Sequence, residues 1–187
     1  MTDARTASAS AAPPDTAAAM ARVLASEAML GVRLDYMREM AVAASPVLDR
    51  LQALSALSRA EAGDSLPPEI RCFATLGAVQ QDDCGECVQI HVNLGRAIGM
   101  DPVLLQAALD GRPELLPGPL ALAWRFGRAV AANDPAMEDM RIDLERRYGR
   151  EAMMELSFAI AAARFYPAVK RALGYAKSCS LVRVKAA

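Results

Sequence analysis

The chain's only histidine and two of its four cysteines stand close together as Cys84, Cys87 and His91, a C-x-x-C-x-x-x-H pattern. If Cys84 opens a helix, a turn of about 100° per residue gathers the three side chains into an arc of about 60°. Helical residues three apart have Cα atoms about 5 Å apart, inside the range a disulfide spans. A helix N-terminus stabilises a thiolate. His91, one turn beyond Cys87, can take a thiol proton directly or through a water. Helix-end electrostatics favours Cys84 as the reactive thiol, whereas proximity to His91 favours Cys87. Asp83 then falls at the cap and Glu86 three residues on, an Asp-x-x-Glu variant of the capping box, with Glu86 turned away from the cysteine face.

Two other chemistries compete. Cys72, Cys84, Cys87 and His91 form a possible Cys3His zinc set, which would make the chain a non-enzymatic, metal-stabilised helical protein. Such sites usually serve small, loop-rich modules, and this chain is long and apolar enough to fold without metal. Haem attachment needs a histidine directly after the second cysteine, which is absent. The blandest alternative is a chance cluster, with the cysteines packed as small apolar residues. Cys179, in the C-terminal tail, reads as incidental.

The segments that must position these residues are separated by Pro and Gly. Residues 15–43 read as one or two helices, with Leu24, Met29, Leu34, Met37 and Met40 inward. Ser45 and Pro46 start the next, striped by Leu48, Leu51, Leu54 and Leu57 and ended by Gly63. Pro67-Pro68 opens a helix with Ile70, Phe73, Ala74 and Leu76 inward. The cysteine helix follows to Gly99. Asp101-Pro102 starts a short helix that stops at Gly111, and Asp134-Pro135 repeats that start. Trp124 reads as core. The last helix is apolar on nearly every side over 156–165, which suits a core centre or a subunit interface, and Pro167 is expected to kink or break it. On that helix Arg164, Lys170 and Arg171 either line a pocket or face solvent.

The 187 residues, 53% hydrophobic but only 5% aromatic, suggest one domain of all-α class, because period-two runs of β-branched residues are missing. Residues 1–14 read as a disordered Ala/Ser/Pro tail, 15–65 as N-terminal helices, 66–176 as the helical core and 177–187 as a second tail. A net charge of −1 without basic stripes gives no sign of nucleic acid or anionic lipid as partner. No run is long and apolar enough to span a membrane, and the first residues lack the apolar stretch of an export signal. A cytosolic setting follows, in which a close cysteine pair means catalysis or metal more often than a structural staple.

The segment "CGECVQIH" inside a helical chain resembles the AhpD-like alkylhydroperoxidase branch of the carboxymuconolactone decarboxylase superfamily. The similarity extends at the level of pattern from about Leu66 to Leu173. It implies a helical bundle, a homo-oligomer, no cofactor, and a thiol peroxidase that reduces hydroperoxides with electrons from an external dithiol or thiol protein. It implies that Cys87 attacks, Cys84 resolves the product as a disulfide, and His91 belongs to a proton relay. The chain departs from the family pattern at Cys72, where a relay glutamate is usual twelve residues before the first cysteine. Glu69, one turn earlier, is an alternative relay group. Cys72 is then either a third redox thiol or a buried cysteine without a role. The departure leaves room for a redox sensor without peroxidase turnover.

Overall fold

The computed structural model describes residues 15–54 and 63–175, together with 182 and 184. Expectations for residues 1–14, Leu57 and Cys179 lie outside these, as does most of the C-terminal tail. Among the described residues every regular element is helical: α1 (Thr16–Leu30), α2 (Asp35–Ala43), α3 (Ser45–Leu54), α4 (Pro68–Gln81), α5 (Gly85–Ala97), α6 (Pro102–Leu109), a 3-10 turn (Pro113–Leu115), α7 (Gly118–Ala132) and α8 (Met137–Ala172).

The fold is built around α4, which is buried continuously from Ile70 to Val79 rather than along one stripe. Glycine makes this possible. A Cβ on Gly127 of α7 would overlap the Ala74 carbonyl, and one on Gly77 would overlap the Trp124 carbonyl. The two helices therefore cross backbone to backbone, at a separation only glycine allows. Trp124 is core as expected, and its indole N–H donates to Gln80 Oε1 at 2.7 Å. Glu155 of α8 ties down the start of α4. Its carboxylate accepts from the Ser65 and Leu66 amides at 2.8 and 2.9 Å and meets the Arg71 guanidinium.

The helices α1 to α3 carry a separate apolar cluster, including Val23, Leu34, Tyr36, Met37, Leu48 and Leu51, that packs on Ile90 of α5 and on Tyr166 and Val169 of α8. Residues 15–43 form two helices, divided where Gly31 turns left-handed at φ 68°. Two inward assignments are corrected: Leu24 is exposed and Met29 is 72% exposed. In this Ala-rich helix, Ala19 and Val23 face the core, because small side chains let α1 lie close to its neighbours. Ser45 does not cap α3. It is the first residue of the helix and is buried, while the Ala44 carbonyl accepts from the Val47 and Leu48 amides.

Asp101 caps α6 through the Val103 amide at 2.8 Å. The break expected at Pro167 occurs instead at Gly149 (φ 87°, ψ 170°), the non-helical residue inside α8, and the helix continues through buried Pro167. A mid-helix proline forfeits one hydrogen bond, which a well-packed helix tolerates. Only glycine reaches the Gly149 conformation without strain. On α8, Leu156, Ala159 and Ile160 are buried, but Phe158 is 57% exposed and Met154 and Phe165 also reach the surface.

Candidate functional site

A three-residue connection joins α4 to α5. Asp82 ends α4, Asp83 turns left-handed (φ 50°), and Cys84 takes the N-cap position of α5. The expected capping box is therefore absent. Asp83 lies one residue before the cap, and the Glu86 side chain is engaged elsewhere. The connection is held by Arg164 of α8, whose Nε donates to Asp82 Oδ2 at 3.0 Å and whose guanidinium also donates to the Ala131 carbonyl.

Cys84 and Cys87 occupy the first turn of α5 with their Sγ atoms 2.6 Å apart, as free thiols, 5% and 3% exposed. The two thiols are hydrogen-bonded to each other. That hydrogen bond, more than any other influence, holds the Cys84 pKa down to about 6 against a burial penalty, with help from the Cys87 amide and the Lys170 ammonium. The same hydrogen bond, together with burial, raises the Cys87 thiol. One proton is thus shared between two sulfurs, with the negative charge on Cys84, at the end of α5 where the helix amides favour an anion.

His91 is half-buried on the same helix face. Its Nδ1 lies 2.8 Å from the Cys87 carbonyl oxygen, which can only accept, so Nδ1 carries the hydrogen and Nε2 keeps its lone pair. Burial lowers its pKa, which keeps the ring neutral. Its recorded hydrogen bond is to the backbone beneath Cys87, not to a thiol.

The other sequence candidates are not brought to this pair. Cys72 packs on Gly95, two turns and about 12 Å along α5 from Cys87. Burial pushes its thiol up to about 12, so it is neither a base nor a thiolate at neutral pH. Glu69 lies in the first turn of α4, about 18 Å along that helix from Gln81. The Cys3His set is accordingly not assembled, and among the described residues no group of three His, Cys, Asp or Glu side chains is placed to hold a metal ion.

Two further residues matter here: Lys170, which the sequence left between pocket lining and solvent, and Tyr36, which it did not single out. Lys170 of α8 is only 3% exposed, and its Nζ meets Glu86 Oε2 at 2.7 Å. It also stands 5.7 Å from the centre of the Tyr36 ring. Tyr36, from α2, is buried, and burial raises its hydroxyl pKa. The signal available for Lys170 was a lysine between apolar residues in "YPAVKRAL". Nothing in the sequence marked Tyr36. Separately, a cleft of about 490 Å³ lined by Asp82, Phe126, Ile160, Arg164 and Phe165 lies beside the connection, and neither cysteine lines it.

None of the helices is long and apolar enough to cross a membrane, among the described residues. No protein-family model matches this chain, and no curated protein or solved structure matches it either.

Proposed function

We propose that the chain is a dithiol oxidoreductase that reduces hydroperoxides through Cys84 and Cys87. The observation that carries it is the pair of free thiols 2.6 Å apart in the first turn of α5, one of them held largely as a thiolate at neutral pH. The Cys84 thiolate attacks the outer peroxide oxygen, the O–O bond breaks, and the departing alkoxide takes a proton to become an alcohol, or water from hydrogen peroxide. Cys84 is then a sulfenic acid. The Cys87 sulfur displaces its hydroxyl, which leaves with the Cys87 proton as water, and a disulfide forms. An external dithiol or thiol protein reopens it and is itself oxidised. The order is the reverse of the one implied by the AhpD-like resemblance, because here Cys84, at the N-cap of α5, is the thiol whose pKa is lowered. Neutral His91, with Nε2 free to accept, is the group nearest along the helix for the protons these steps release.

A cytosolic setting and self-association complete the proposal. The exposed Met154, Phe158 and Phe165 on α8 fit the latter. One equivalent of hydrogen peroxide added to reduced protein should remove two thiols and leave the Cys84 and Cys87 peptides linked by mass spectrometry. In Cys87→Ser, a sulfenic acid should be trapped on Cys84. A Cys84→Ser Cys87→Ser protein that consumed peroxide at the wild-type rate would overturn the proposal.

A further inference from the structure

Lys170, which is buried, and Glu86, whose side chain is 30% exposed, form an ion pair beside the dithiol, and the pair is not self-contained. Glu86 Oε2 meets the ammonium at 2.7 Å, but Glu86 Oε1 is buried with no hydrogen-bond partner among the described residues. Burying the Lys170 ammonium costs more than packing an apolar side chain of the same size, so such a pair is weakly justified by stability alone. Its location suggests another use. Glu86 stands between the two cysteines in the first turn of α5, where its charge opposes a thiolate. Lys170 reaches in from α8 with the opposite sign, and both charges bear on Cys84 and on Cys87. The other titratable groups facing the dithiol are Tyr36 from α2, Tyr166 from α8 through its effect on Tyr36, and His91 on α5 itself. The neighbouring Asp82–Arg164 pair is internally neutralised.

We propose that Lys170 and Glu86 are positioning residues that set the redox poise of the dithiol in opposite directions, Lys170 favouring the reduced form and Glu86 the disulfide. The chemistry follows from charge. Reducing the disulfide takes two electrons from an external dithiol and one proton, giving the Cys84 thiolate and the Cys87 thiol. The reduced cluster, Cys84, Glu86 and Lys170, carries one net negative charge, and the oxidised cluster carries none. A fixed cation at Lys170 therefore stabilises the reduced state selectively, and a fixed anion at Glu86 destabilises it. This rests on Cys84 and Cys87 forming the redox pair, but its test needs no peroxide.

The experiment measures two quantities on full-length protein: the pH midpoint of Cys84 alkylation by iodoacetamide, and the fraction of disulfide at equilibrium in dithiothreitol buffers. Lys170→Met should raise the midpoint by about one pH unit and shift the equilibrium about tenfold toward disulfide. Glu86→Gln should move both readouts the other way, and Lys170→Arg should restore wild-type values. A purely structural ion pair would move both variants in the same direction, or neither, and either result overturns the proposal. If Lys170→Met does not fold, Glu86→Gln with and without Lys170→Met gives the comparison in a background without the Glu86 carboxylate. The double variant should then have the higher midpoint, and equal midpoints overturn the proposal. Failure of wild-type protein to form the disulfide with peroxide, with these shifts intact, would refute the peroxidase function alone.

Discussion

Replacing Cys87 by alanine should raise the pH at which Cys84 reacts with iodoacetamide. In the wild type the Cys84 pKa is about 6 against an ordinary 9.0, and the largest cause is the hydrogen bond with the Cys87 thiol. Alanine removes that partner but leaves the backbone amide and Lys170, so the midpoint should climb most of the way from 6 toward 9. Serine retains a hydroxyl donor and should raise it less. The rate at pH 7 is a poor readout. At the limit the thiolate fraction falls from about nine-tenths to about one-hundredth, a factor of about 90. A more basic thiolate is also a better nucleophile, and over three units this returns a factor of about 20. The rate at pH 7 would then fall only about fourfold, whereas the midpoint moves by units. The assay is pulse alkylation of reduced protein from pH 4 to 10, with mass spectrometry assigning the label to Cys84 rather than Cys72 or Cys179. A wild-type midpoint near 9, or one that stays put in Cys87→Ala, would refute the reasoning.

Gly127→Ala should cost about 3 kcal/mol or more, because its new methyl group meets backbone that cannot turn aside. Gly118→Ala, with open space around it, should change stability by less than about 0.5 kcal/mol, and urea unfolding compares the two. The reduced protein should grow more stable as pH rises from 6 to 9, by at most about 1.4 kcal/mol per pH unit from Cys84. The sign follows because the folded Cys84 pKa is depressed: its contribution is complete above the unfolded value near 9 and is lost as pH falls through 6. Above 9 the trend should reverse, because Cys72 and Cys87 hold protons in the folded state that the unfolded chain releases. Cys84→Ser should flatten the rise without removing the fall, as urea unfolding under reducing conditions will show.

What the sequence made legible was local. Gly99, Gly111 and the two Asp-Pro pairs marked helix ends, since a left-handed turn or a capped first turn demands those residue types. The placement of Cys84 at a helix start and the common face of Cys84, Cys87 and His91 came from the same short-range geometry. Long-range placement was not legible. Whether Leu24 or Ala19 faces inward depends on how closely α1 approaches its neighbours, and an Ala/Leu/Met-rich segment has no polar face to decide it. Pro167 was read by its intrinsic effect, which packing overrides. Cys72 could be judged only by its distance in sequence, but the turn at residues 82–84 sets it against Gly95. Lys170 and Glu86 meet only because α8, packed on α4 and α7, brings its last turns to the start of α5, a fact no local pattern encodes.

Tyr36 belongs to the α1–α3 cluster, whereas Cys84 and Cys87 belong to the same buried cluster as the residues of the α4–α7 crossing, Ala74 and Trp124 among them. Reactivity and global stability therefore reside in the same layer. Cys84 and Cys87 are 5% and 3% exposed, so a peroxide or a reductant gains the sulfurs only when that layer opens locally. The rate at which the thiols react then contains an opening equilibrium as well as a chemical step. A bulky thiol protein requires a larger opening than hydrogen peroxide does, so the layer can tune the two halves of a catalytic cycle independently.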